Sequence, residues 1–308
     1  MRIALLALGG LACTAIVAAG IWAWAPDRPR NQLEKKYWDS ATRYRVIGGT
    51  SLRVRTTGAK DAPAVLMLHG FGSSLETWEP WALRLSDRYQ VVRFDLPGCG
   101  LSEADRTGDY SDAHSLEIVR ELMDTLGIEQ AVLVGNSMGG RIAWRFAAQF
   151  PERTHKLVLI SPDGFASPGF EYGKAPQVPS LLKLMKYFLP RSLVRINVAA
   201  GYGDPRLLSA ATLDRYYELL LAPGNREAMI ERMQQSVLQD PIPILRQITA
   251  PTLLLWGRQD RLIPFSNSAD YLRALSHSRL VAFSDVGHLP HEEAPAESIA
   301  AVTEFLSM

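Results

Sequence analysis

The chain has two cysteines in 308 residues, Cys13 and Cys99. Neither belongs to a CxxC pair, so the thiols offer no redox motif and no zinc-type ligand set. Cys13 falls in a long apolar stretch, which leaves no pair for a disulfide in the rest of the chain and makes Cys99 a loop or core thiol. Excess charge is missing too. With 33 basic and 32 acidic residues the net charge is +1, so no global field recruits nucleic acid or another polyanion. No motif implies a metal or an organic cofactor.

Charge is wholly absent from Ile3 to Ala25, 23 residues. As a helix rising about 1.5 Å per residue this run reaches roughly 35 Å, enough for a hydrocarbon core of about 30 Å. We read residues 3–25 as a single transmembrane helix. A cleaved signal peptide fits less well: Ala23-Trp24-Ala25 is followed by Pro26, and cleavage after Gly20 would leave Trp22 and Trp24 near the new terminus. Gly10-Leu11-Ala12 before Cys13 is a poor lipobox. Trp22 and Trp24 suit an interfacial belt. Ala15, Ala19 and Ala23 form a small-residue stripe that would let two such helices pack as a homodimer, although alanine-rich anchors carry such stripes by chance. Arg28, Arg30, Lys35 and Lys36 follow the run while only the α-amine and Arg2 precede it, so positive charge alone would hold the following domain in the cytoplasm.

Residues 26–43 read as a juxtamembrane segment, with a short helix over Asn31–Trp38. Strand patterns begin at Tyr44, where Tyr44–Ile47 and Ser51–Thr56 flank Gly48-Gly49-Thr50 as a hairpin. From Ala64 strands alternate with helices. Ala64–Leu68, Gln90–Phe94, Ala131–Gly135, Lys156–Ser161, Thr252–Trp256 and Leu280–Phe283 are the strands, and continuous apolar runs of this kind belong to a parallel sheet buried on both faces. The expected fold class is α/β, with a core over 44–161 and 249–308. Residues 162–248 interrupt the alternation and read as an inserted helical cap. Within it, Ser180–Leu189 is apolar on one helical face, either docking on lipid or roofing the core, and Tyr216–Leu221 and Met229–Met233 are further cap helices.

The chemistry centres on Gly135-Asn136-Ser137-Met138-Gly139-Gly140, where a strand meets a helix. Gly135 and Gly139 allow the tight turn that holds a serine in strained backbone with its hydroxyl outward. Ser137 is the candidate nucleophile. The amide of Met138, at the start of the helix, and that of Phe71, in the His69-Gly70-Phe71-Gly72 loop after a strand, are the candidate oxyanion donors. His69 itself and Asp95 read as structural. In chain order Ser137, Asp260 and His288 follow three different strands, as nucleophile, acid and base should. Asp163 and His291 are the alternatives to the last two.

HGFG, DLPGCGLS, GNSMGG, WGRQD and DVGH, in that order from about Tyr44 to the end, resemble the α/β-hydrolase superfamily, in particular its serine lipases and esterases. The elbow is also similar to that of carbon–carbon bond hydrolases acting on ring-cleavage products. With an N-terminal membrane helix attached, the whole chain looks like the bacterial membrane-anchored phospholipases A. That resemblance implies a homodimeric, single-pass inner-membrane enzyme with its catalytic domain toward the periplasm, releasing fatty acids from glycerophospholipids and lysophospholipids. Two other readings stand beside it: a hydrolase of small esters or ring-cleavage diketones, and a noncatalytic membrane-bound binding protein on a hydrolase scaffold. A serine at the elbow argues against dehalogenase and epoxide-hydrolase chemistry, which want a carboxylate there.

Overall fold

The computed structural model describes residues 17, 18, 20–166 and 171–308. Most of the expected membrane span lies outside them. Among the described residues no helix is long and apolar enough to cross a membrane; residues 20–23 are helical, and a short helix α1 (Arg30–Tyr37) follows.

Eight strands form one sheet: β1 (Thr42–Ile47), β2 (Thr50–Thr57), β3 (Ala64–Leu68), β4 (Gln90–Phe94), β5 (Ala131–Asn136), β6 (Thr154–Ile160), β7 (Thr252–Gly257) and β8 (Ser278–Phe283). Their spatial order is β1-β2-β4-β3-β5-β6-β7-β8. The hairpin β1–β2 and the β2–β4 pair are antiparallel, and every later pair is parallel. Gly48 and Gly49, at φ 58° and 76°, make the hairpin turn, a conformation that L side chains resist.

The period-two alternation of the central strands divides the core into two layers. Leu66, Leu68, Leu133, Leu157, Leu159 and Leu254 point to one face, against α3 (Asp112–Leu126) and α4 (Met138–Gln149). Val65, Met67, Val132, Val134, Val158, Leu253 and Leu255 point to the other, against α2 (Glu79–Leu85) and the C-terminal helix Pro295–Ser307. Each fully buried aliphatic side chain contributes about 2 kcal/mol. Helix α3 begins where the Ser111 side chain accepts from the His114 amide, and ends at Gly127 in left-handed conformation, both ordinary terminal devices.

No strand occurs in the described part of 161–251. The cap carries α5 (Arg191–Ala200), α6 (Ala210–Leu220) and α7 (Asn225–Gln235), with their own apolar cluster of Leu189, Val194, Tyr202, Leu208, Leu213 and Leu221. The short α8 (Ile242–Leu245) returns the chain to the sheet; Leu245 and Ile248 pack in the main core. Ser180–Lys186 is a 3-10 segment rather than part of a longer α-helix, and none of its residues is buried. Pro179 immediately precedes it, and Pro190 caps the start of α5. Leu181, 75% exposed, and Leu184 face outward, while Leu182 is half-buried.

The cap also incorporates the N-terminal segment. Trp24 bridges Phe188, with Ala25 N donating to Tyr187 O and Leu189 N donating to Ala23 O, both at 2.9 Å. Trp24 stacks on Tyr187 and meets Phe188 edge-on, Ala25 is buried in the cap cluster, and buried Arg226 bonds Ala25 O and Asp27.

Candidate active site

Ser137 sits between β5 and α4 at φ 54°, ψ −120°, a strained conformation for a residue with a Cβ, costing about 1–3 kcal/mol. Surrounding bonds impose it: Ser137 N donates to Ile160 O, and Ser137 O accepts from Arg141 N and Asp163 N, each at 3.0 Å. The glycines are obligatory by contact. A Cβ on Gly135 would fall 2.3 Å from Gly139 O, and one on Gly139 would fall 2.2 Å from Leu68 O. The hydroxyl makes no capping bond to the helix it precedes, so it remains available.

The loop after β3 lies directly on this turn, since a Cβ on Gly70 would come 3.3 Å from the Ser137 Cβ. Neither the Phe71 nor the Met138 amide donates to a carbonyl among the turn and cap bonds of the described residues. Two unengaged N–H groups therefore flank the serine, one at a helix N-terminus, where the dipole also favours negative charge. His69 holds the loop from behind: its Nε2 accepts from Leu96 N at 3.0 Å, which fixes Nδ1–H as donor to Gly70 O at 2.8 Å. Burial keeps its pKa below the usual histidine value. Asp95 accepts from Arg53, Leu75 N and Leu101 N. Both residues are scaffolding.

His288 and Asp260 meet at 2.8 Å, Nδ1 to Oδ2, with both residues buried. The other oxygen of Asp260 accepts from Leu262 N and Ile263 N at 2.9 Å, so the carboxylate is fully engaged and aimed. Nε2 of His288 is the nitrogen left for a serine proton. No hydrogen bond joins it to Ser137 among the described residues. Bonds of this kind commonly tighten only when substrate is present. The alternatives lie elsewhere: Asp163 pairs with Arg141 at 3.0 Å, and His291 is buried against Trp78, its Nε2 2.9 Å from Thr77 Oγ1.

Two residues without an earlier role hold the histidine loop. Asn136 Nδ2 donates to His288 O at 3.1 Å and to Ile160 O at 3.2 Å. Glu293 accepts from Gly287 N (2.9 Å) and Leu289 N (3.4 Å) with one oxygen, and from Gly203 N of the cap (2.7 Å) with the other. His288 N itself donates to Gly201 O at 2.7 Å. The histidine turn and the end of α5 are thus joined, and a Cβ on Gly287 would lie 2.5 Å from Gly201 O. Asn136 stands inside the GNSMGG motif and Glu293 five residues beyond the histidine. Nothing in a single sequence distinguishes Glu293 from its neighbour Glu292. Among the described residues no cluster of side chains suits a metal ion.

The α/β-hydrolase fold family matches residues 63–295. The chain belongs to that family. Among its relatives is a 2-hydroxy-6-oxo-6-phenylhexa-2,4-dienoate hydrolase of Comamonas testosteroni, 30% identical over 257 residues, covering 80% of this chain and 89% of the relative. Two solved structures compare closely in fold. A membrane phospholipase A described as a bacterial virulence factor, PlaF, aligns with a TM-score of 0.74 and 26% identity, covering 100% of this chain and 98% of its own. A meta-cleavage product hydrolase of Pseudomonas fluorescens, CumD, aligns with the same score and 23% identity, over 86% of this chain and 97% of its own.

Proposed function

We propose that this α/β hydrolase is a membrane-associated serine ester hydrolase, releasing fatty acids from glycerophospholipids and lysophospholipids. Ser137 would attack the ester carbonyl while His288 accepts its proton, held in the required tautomer by Asp260. The Phe71 and Met138 amides would hold the tetrahedral oxyanion, each donor worth about 3 kcal/mol in the transition state. Collapse of that intermediate breaks the ester C–O bond and expels the alcohol, which takes the proton from His288 and leaves the acyl group on Ser137; His288, neutral again, then activates the water that releases the fatty acid and regenerates the serine. No cofactor enters this scheme.

The observation that carries the lipid reading is coverage. The phospholipase aligns with this chain from end to end, the N-terminal segment included, whereas the meta-cleavage hydrolase covers 86% of it. Exposed apolar side chains support it: Ile21, Trp22 and Trp24 on the N-terminal segment, and Leu181, Leu184 and Ile196 on the cap beside it. Such a surface suits a bilayer interface. In this reading residues 3–25 cross the bacterial inner membrane once, the catalytic domain faces the periplasm, and two copies pair through their membrane and juxtamembrane helices.

A second reading rests on the Comamonas relative, whose name describes hydrolysis of a dienoate ring-cleavage product. One experiment separates the two. Purified full-length protein and its Ser137→Ala variant are assayed on a diacyl phospholipid, a lysophospholipid and 2-hydroxy-6-oxo-6-phenylhexa-2,4-dienoate. Fatty-acid release that vanishes in the variant is expected; turnover of the dienoate alone would replace the lipid reading with carbon–carbon hydrolysis. Lipid turnover unchanged by Ser137→Ala would remove the serine mechanism altogether.

A further inference from the structure

Between the loop that carries Phe71, the Pro97–Gly100 turn and helices α6 and α7 lies a narrow cleft, part of it open to solvent. Its walls are largely apolar, with Phe71, Leu220 and Met229 among them, and Arg232 also lines it. Ser137 does not. The cleft adjoins the candidate site through Phe71, whose amide is one of the two unengaged donors.

Arg232 is 4% exposed. Five other arginines of the described residues are buried to a similar degree, and each meets a carboxylate: Arg53 meets Asp95 and Glu76, Arg55 and Arg93 meet Glu79, Arg141 meets Asp112 and Asp163, and Arg226 meets Asp27. Among the described residues Arg232 has no carboxylate within 4 Å. Its guanidinium has only Pro97 O, at 2.8 Å from Nη2, and the face of Tyr110, 4.7 Å from Cζ. Withdrawing a cation from water costs several kcal/mol unless an anion compensates. One neutral carbonyl and a ring offset that cost in part. Burial correspondingly lowers the pKa of this arginine.

We propose that the cleft is a subsite for an anionic group of the substrate, a phosphate or a carboxylate, with Arg232 supplying the counter-charge. The proposal rests on the reading of Ser137 as the acyl nucleophile, because that reading puts the scissile carbonyl beside Phe71, which also lines the cleft. The free interior has room for about one water. A larger anion enters as Met229 and Leu220 give way, both of them flexible side chains. A guanidinium suits either group, since phosphate and carboxylate both accept its paired N–H donors.

The test is binding, which separates it from catalysis. Full-length Ser137→Ala protein, with and without Arg232→Gln or Arg232→Lys, is titrated calorimetrically with three water-soluble hexanoyl esters. One bears a glycerophosphate, one a carboxylate, and one is the neutral monoacylglycerol. Arg232→Gln is expected to weaken at least one charged ester tenfold or more while changing the neutral ester less than twofold, and Arg232→Lys to recover part of the loss. The ester that responds identifies the anion. Equal losses on charged and neutral esters, or no loss on either charged ester, would overturn the subsite. Should Arg232→Gln fail a thermal-melting check, Ser137→Ala alone decides: a charged ester bound at least tenfold tighter than the neutral one is expected, and equal affinities overturn the proposal. Wild-type protein that hydrolyses none of the three esters would count against the ester-hydrolase reading and leave the binding result standing.

Discussion

The side-chain amide of Asn136 donates to the main-chain carbonyl of His288 at 3.1 Å. The residue just before the candidate nucleophile therefore holds the loop that carries the candidate base. Elbow and histidine turn are positioned by one group.

Asn136→Ala removes a donor from two buried carbonyls, of which Ile160 O keeps its bond from Ser137 N while His288 O is left without one among the described residues. An unpartnered buried carbonyl costs about 1–3 kcal/mol. Part of that cost is expected as a looser His288, lowering kcat roughly tenfold or more, about 1.4 kcal/mol in the barrier, with the fold retained. Steady-state kinetics alongside thermal melting check this; an unchanged kcat in a folded variant would show that the bond positions nothing.

Glu293 is expected to behave as a positioning residue. Its two oxygens accept from the histidine turn on one side and from Gly203 on the other. Glu293→Gln turns one acceptor into a donor that opposes an N–H. The loss is expected mainly in kcat, about tenfold, with KM changed less than twofold, because the altered contacts reach the base rather than the substrate. A rise in KM alone would contradict this.

Two glycine substitutions should separate crowding from backbone strain. Gly139→Ala drives a methyl group to within 2.2 Å of Leu68 O, a backbone atom at the end of β3, and is expected to cost 3 kcal/mol or more, since overpacking costs about 1–3 kcal/mol even where neighbours can shift. Gly127→Ala meets no atom within 4 Å but keeps φ at 70°, and should cost only about 1–2 kcal/mol. Urea denaturation of both variants gives the comparison.

Acid should weaken the fold in a predictable window. Burial holds His291 down to about 3 and lowers His69 too, so both are neutral in the native protein, while unfolded histidines gain a proton below about 6.5. The unfolded state then binds more protons, and stability, fully present above that value, falls as pH drops through it, by at most about 1.4 kcal/mol per pH unit for each group. His291→Gln should flatten the dependence of the urea midpoint between pH 7.5 and 5.5; an unaltered slope would assign it to other groups.

Those features that follow from periodicity and glycine spacing were legible in the sequence. The apolar runs at Ala64–Leu68 and Gln90–Phe94 match the observed strands to the residue, and the break in alternation after β6 matches the absence of strands among the described residues between β6 and β7. The pairing of Asp260 with His288 was expected from chain order and is present at 2.8 Å. Less legible was anything set by contacts between distant segments. Ser180–Leu189 has a helical pattern, but it is 3-10 over Ser180–Lys186 and its end pairs with Ala23 and Ala25, far away in the chain. Glu293 and Arg232 carry no local signal, and the motif around Asn136 does not say what its side chain holds, because the interest of all three comes from what does or does not lie opposite them.

The bridge between Trp24 and Phe188 also bears on where this protein can be cut. Residues 23–25 look, on hydropathy, like the disposable end of an anchor. They are in fact a strip of the cap's own wall, with Ala25 in its apolar cluster and two main-chain bonds to residues 187 and 189. A shortened protein starting at Pro26 would leave Tyr187 O and Leu189 N without their partners and open that cluster to water. Any shortened form of the domain, by proteolysis or truncation, therefore has to spare Ala23, Trp24 and Ala25.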